Sequence, residues 1–170
     1  PCGLAQRTGE NKFLTNHNAN ETARVALENP DKIRIIKLRI GSTQNTSETG
    51  IEALKMAKLA AKLAGNIPVM VHIEDGSPLE EIFSILDNGD IVTHAFRKDG
   101  TCNILDGNDL KPFVKAALKR GIRLDVGHGG GGFDKVNAQA AIAALELLGA
   151  DNYVPFTTST DLHCFSLNGP

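Results

Sequence analysis

Pro68-Val69-Met70-Val71-His72-Ile73 is a nearly continuous apolar run whose polar member is His72. A strand with one solvated face alternates apolar and polar residues, whereas a parallel strand covered on both faces reads as an unbroken apolar run, so this stretch predicts a parallel sheet. Its flanks agree. Upstream, residues 51–64 are amphipathic, with Met56, Leu59 and Leu63 spaced to pack and Lys55, Lys58 and Lys62 offset toward solvent; Gly65 and Pro68 end that helix. Downstream, Ser77-Pro78-Leu79-Glu80 matches a capping box with proline at the first helical position, opening a helix to about Leu86.

Working outward, the same unit recurs. Residues 33–40 read as a strand with Ile36, Leu38 and Ile40 on one face and Ile35, Lys37 and Arg39 on the other. Asn88-Gly89-Asp90 turns the chain into a strand over 91–96 carrying His94. Leu110, Phe113, Val114, Ala117 and Leu118 follow helical spacing, Gly121 stops that helix, and a strand over 122–126 runs into Gly127-His128. A helix over 134–148, with Ile142 and Leu145 on its buried side, leads to a last strand around Phe156 and the polar tip Thr157-Thr158-Ser159-Thr160-Asp161-Leu162-His163. Five parallel βα units with short links predict an α/β fold: a partial barrel of the (β/α)8 TIM type, since ligand-type residues sit at the ends of several strands rather than at one switch point. One domain is expected over 1–170, with 1–30 a weakly structured lead-in containing a short helix over 20–28, and 31–170 the βα units. The ends at Pro1 and Asn168-Gly169-Pro170 suggest a fragment of a longer chain.

Composition excludes several classes. Lys+Arg 18 against Asp+Glu 20 gives a formal net charge of -2, with no basic run to follow a phosphate backbone, so nucleic acid is not expected as a partner. No apolar stretch nears the ~20 residues of a membrane span, and no basic start and apolar core of a signal peptide opens the chain, so a soluble, cytoplasmic protein is expected. Cys2, Cys102 and Cys164 form no C-x-x-C pair and read as free thiols.

The chemistry gathers at strand tips. His72, His94 and Asp161 end three apolar strands, and imidazole in such a setting is costly unless paired or metal-bound. Two imidazoles and a carboxylate suit zinc, manganese or iron. Lys37 has three readings: an internal ion pair, a Schiff-base nucleophile, or a carbamate formed with CO2 that bridges metals. Gly127, Gly129 and Gly132 satisfy G-x-G-x-x-G, but the acid that should stand at the next strand's tip about 20 residues on is misplaced. Room for substrate is the better reading, with His128 either contacting substrate or structural.

These residues resemble the amidohydrolase superfamily, in particular its dihydroorotase-like and deacetylase-like metal-dependent hydrolases. The carrying segments are Ile36-Lys37-Leu38-Arg39, Val69-Met70-Val71-His72-Ile73, Asp90-Ile91-Val92-Thr93-His94-Ala95-Phe96, Leu124-Asp125-Val126-Gly127-His128-Gly129 and Ser159-Thr160-Asp161-Leu162-His163. They run in the family's order and correspond to its strands four to eight. The resemblance implies Lys37, carboxylated by CO2, with His72, His94 and Asp161 as ligands of one or two divalent ions, zinc first. The His-x-His pair that serves a second site is lacking from the sequence. It implies Asp161 as the catalytic proton carrier, and Arg39, His128 and His163 near a small-molecule substrate. The implied activity is cleavage of an amide, cyclic amide or ester bond by metal-activated hydroxide. The alternatives are a catalytically inactive partial barrel and a Lys37 Schiff-base aldolase. Open barrel edges suggest a homo-oligomer.

Overall fold

The computed structural model describes residues 13–42, 45, 47–98, 100–128, 133–147 and 156–160. In chain order the elements are α1 (Ala19–Glu28), β1 (Ile36–Ile40), α2 (Ser47–Leu63), β2 (Val69–Ile73), α3 (Leu79–Ile85), β3 (Ile91–Thr93), β4 (Leu105–Asp106), β5 (Asp109–Leu110), α4 (Pro112–Lys119), β6 (Arg123–Asp125), α5 (Lys135–Leu147) and β7 (Phe156–Thr157). β1, β2, β3, β6 and β7 form one parallel sheet in that order, as the apolar runs predict. The α1 stretch is a regular helix capped by the Asn18 side chain, which accepts from the Glu21 amide, and it packs on α2.

The period of two divides the sheet into two chemically different faces. Ile36, Leu38, Ile40, Val69, Val71, Ile73, Val92 and Leu124 are buried on the face that the helices cover. On the other face, register aligns Lys37 with Met70, Ile91 and Arg123 in one row. The next row toward the strands' C-terminal ends is Arg39, His72, Thr93, Asp125 and Thr157, every member polar.

Three local readings need correction. Leu59 and Leu63 of α2 are 49% and 44% exposed, while Ala53, Leu54, Ala57, Ala60 and Ala61 face inward. Alanines let the helix approach both the sheet and α1 closely, which places the bulky leucines outside. The capping box at Ser77 does not form: α3 begins at Leu79 without a side-chain cap, and Ser77 Oγ instead donates to Ile40 O and accepts from the Glu74 amide. Leu110 belongs to a short antiparallel hairpin of β4 and β5, and α4 starts only at Pro112, where the missing N–H costs nothing. Gly65 does end α2, at a φ of 89° that an L-residue would resist.

Candidate metal centre

The C-terminal ends of β2, β3 and β6 bring the first candidates together. His72 lies near the end of β2 on the open face, in register with Arg39 on one side and Thr93 on the other. His94 follows β3 directly and has a φ of 61°, a left-handed conformation that costs a non-glycine residue about 1–3 kcal/mol and persists only where its surroundings enforce it. The two rings meet edge to face with centroids 4.4 Å apart. Burial, helped by neighbouring His94, Arg39, Lys37 and Arg97, pushes the His72 pKa down to about 2, so this imidazole is neutral and keeps a lone pair at any ordinary pH.

His72 Nε2 is buried and makes no hydrogen bond. The nearest carboxylate oxygen recorded for it is Glu74 Oε2, at 3.6 Å, too far for one. Glu74 is absent from the candidates read in the sequence. Its signal was available, because in His72-Ile73-Glu74 the period of two puts the carboxylate on the histidine's side of the chain. An orphaned buried nitrogen beside a second imidazole is a donor set that fits a divalent cation of the zinc class. Among the described residues, no group of three or more His, Cys, Asp or Glu is arranged as a metal cluster.

Asp125 is the second residue that sequence reading passed over. It is 2% exposed, and its carboxylate accepts from three hydroxyls: Thr93 at 2.6 Å, Thr157 at 2.7 Å and Ser159 at 2.7 Å. Its backbone carbonyl accepts from the Ala95 amide, and two residues on, Gly127 O lies 2.6 Å from His94 Nδ1. A lone aspartate at a strand end gives no hint of this in sequence, because its donors come from segments more than 30 residues away on either side.

The remaining candidates divide. Lys37 and Arg39 share the open face with His72, Lys37 one row nearer the strands' N-terminal ends and exposed. His128 is exposed on the rim, its ring centroid 5.1 Å from that of Phe133, and its amide donates to Ser159 O. Asp161 and His163 lie outside the described residues, as do Cys2 and Cys164. Cys102 is a free buried thiol whose pKa burial raises, which makes it unreactive. A cleft of about 350 Å³ opens at the opposite end of the sheet, but its Lys58 pairs with Asp87 and Asp90 and it holds no histidine.

No family model matches the chain. Among curated proteins, a deacetylase of Agrobacterium fabrum is 38% identical over 144 residues, 84% of this chain and 33% of the relative. A deacetylase of Enterococcus faecalis is 33% identical over 134 residues, 76% of this chain and 35% of the relative. The chain therefore spans about a third of the length of these relatives. Two crystal structures are similar throughout the fold: a dihydroorotase (TM-score 0.76, 31% identity, 96% of this chain and 43% of that one) and an adenine deaminase (TM-score 0.75, 30% identity, 91% and 40%). The chain belongs to the amidohydrolase superfamily. The parallel sheet is accordingly part of a TIM-type barrel, whose C-terminal strand ends carry the chemistry in enzymes of this fold. In amidohydrolase terms the open face is the barrel's interior, which accounts for a row of five polar residues on a sheet whose other side is wholly apolar. No helix among the described residues is long and apolar enough to cross a membrane.

Proposed function

We propose that the chain carries metal-binding residues of a hydrolase that cleaves a small amide, cyclic amide or ester, C–N bonds other than peptide bonds first. The observation that carries this reading is the edge contact of His72 and His94, one ring held neutral with a buried nitrogen that makes no hydrogen bond. Similarity to deacetylases, a dihydroorotase and an adenine deaminase supports the same reaction class.

His72 and His94 would hold a divalent ion, zinc first, with Lys37, carboxylated by CO2, and Asp161 as its oxygen donors. When bound, such an ion polarises a carbonyl and lowers the pKa of water to about 7. Arg39, in register with His72, offers a planar fork of donors to a substrate carboxylate or carbonyl. Asp161 takes a proton from the attacking water and returns it to the leaving nitrogen or oxygen. His128 contacts the substrate from the outer rim, where its exposed position suits a group that meets substrate on entry, and His163 is a second substrate contact.

Elemental analysis of the purified chain after reconstitution with zinc and bicarbonate tests the reading, beside Asp161→Asn and a screen of N-acetyl amino acids, cyclic amides and O-acetyl hydroxy acids. At least one equivalent of metal is expected in both proteins, with turnover of the preferred substrate class falling at least 100-fold in the variant. A folded protein that retains no zinc, manganese or iron would overturn the proposal.

A further inference from the structure

The tip of β6 holds the tip of β3 through three separate bonds. Thr93 Oγ1 donates to Asp125 Oδ2, the Ala95 amide donates to Asp125 O, and Gly127 O lies 2.6 Å from His94 Nδ1. His94 sits between the first two attachments, and its left-handed backbone is what turns the ring toward the third. A carbonyl oxygen can only accept, so the proton of this bond belongs to Nδ1, and in the neutral ring the lone pair then resides on Nε2. Free imidazole side chains favour the opposite tautomer, with the proton on Nε2, so the choice at His94 is imposed by Gly127.

Gly127 cannot be exchanged for a larger residue without breaking this arrangement. Its φ is 50°, and a Cβ there would stand 2.4 Å from Thr93 Oγ1 and 2.7 Å from His94 Nδ1. Close approach of the β6 backbone to the imidazole therefore explains the glycine independently of any substrate. Asp125 supplies the rigidity: its carboxylate is buried, it ties Thr93 on one side to Thr157 and Ser159 on the other, and the polar row puts the Thr93 and Thr157 hydroxyls in reach.

We propose that Asp125 and Gly127 are positioning residues which preset His94 as an Nδ1-protonated imidazole with Nε2 as its metal-binding atom, Asp125 by fixing the backbone of the β3 tip and Gly127 by accepting a hydrogen bond from the Nδ1–H group. This rests on the metal site proposed above, but the tautomer is a property of the metal-free chain. It belongs to the kind of outer support whose loss costs a metal site 10–100-fold in affinity.

The test is long-range ¹H–¹⁵N NMR of the metal-free protein labelled at histidine nitrogens, with the His94 ring assigned by loss of its signals in His94→Gln, followed by zinc titration of the same samples. In the unaltered chain His94 carries its proton on Nδ1. Gly127→Ala shifts it to the Nε2-protonated or averaged form, and zinc binds 10–100-fold more weakly. If Gly127→Ala fails to fold, Thr93→Val decides, since it keeps the carbonyl and the packing volume but cuts the tie to Asp125: partial averaging of the His94 signals and about tenfold weaker zinc are expected. An Nε2-protonated His94 in the unaltered chain overturns the proposal, as do variants with unchanged tautomer and affinity. A chain that shows the Nδ1 tautomer and its loss in the variants yet binds no zinc upholds the tautomer control and refutes the metal reading instead.

Discussion

Asp90 and Asp125 are each 2% exposed, but they stand at opposite ends of the sheet and collect different partners. Asp90, just before β3, accepts from the amides of Val69 and Asp87 and from the Lys58 ammonium. Those donors are backbone groups and a helix lysine, so the carboxylate fastens β2, the turn before β3 and α2 into one unit. Among the described residues, the carboxylate of Asp125, the last residue of β6, accepts from side-chain hydroxyls. The N-terminal end of the sheet is therefore built from bonds with a single satisfactory arrangement. The C-terminal end is held instead by side-chain hydroxyls gathered on one buried carboxylate beside two imidazoles.

Asp90→Ala should give the largest loss of stability, because it strips the Val69 and Asp87 amides of their shared carboxylate inside the fold. About 1–3 kcal/mol is expected in urea unfolding for each stranded amide, with little added from the partly exposed Lys58. Zinc bound per folded molecule should be unaltered. If Asp90→Ala instead lowers zinc affinity more than stability, the contrast between the two ends is wrong.

Asp125→Ala should do the reverse. Thr157 and Ser159 are exposed enough to turn to water, so only the Thr93 hydroxyl, 2% exposed, is stranded. About 1–3 kcal/mol of stability is expected to go, with a fall in turnover far larger than that unfolding explains, read as kcat on the fraction still folded.

The smallest effect concerns pH. Burial lowers the Lys58 pKa, but the bonds and charges of Asp90 and Asp87 outweigh it, so the net direction is upward from 10.5. A pKa raised on folding contributes stability that is complete below the unfolded value, about 10.4, and is lost as pH rises through the folded value. The melting temperature of the unaltered chain should thus drop more steeply above about pH 10.5 than that of Lys58→Met. Equal slopes would assign Asp90 to its two amides alone.

Much of this architecture could be read from residue order. Unbroken apolar runs such as Val69-Met70-Val71 mark strands between packed layers, and the alternation in β1 put Lys37 and Arg39 on the open face before any coordinates did. Periodicity failed where volume mattered more than polarity. In α2 it selected Leu59 and Leu63 as core residues, although the alanine face packs closer. Ser77 matches a capping pattern, but its hydroxyl donates to the Ile40 carbonyl across the strand end instead. Asp125 and the left-handed backbone of His94 were illegible for a deeper reason: both depend on pairing between β3 and β6, which no local pattern encodes.

The loops beyond the strand ends are also stitched to one another: the Ser42 amide donates to Asp75 O, the Thr101 amide to Asp75 Oδ1 and the Gly76 amide to Thr101 Oγ1. Three successive loops are thus joined to one another rather than standing as independent flaps. A single change at Asp75 would therefore loosen the whole mouth.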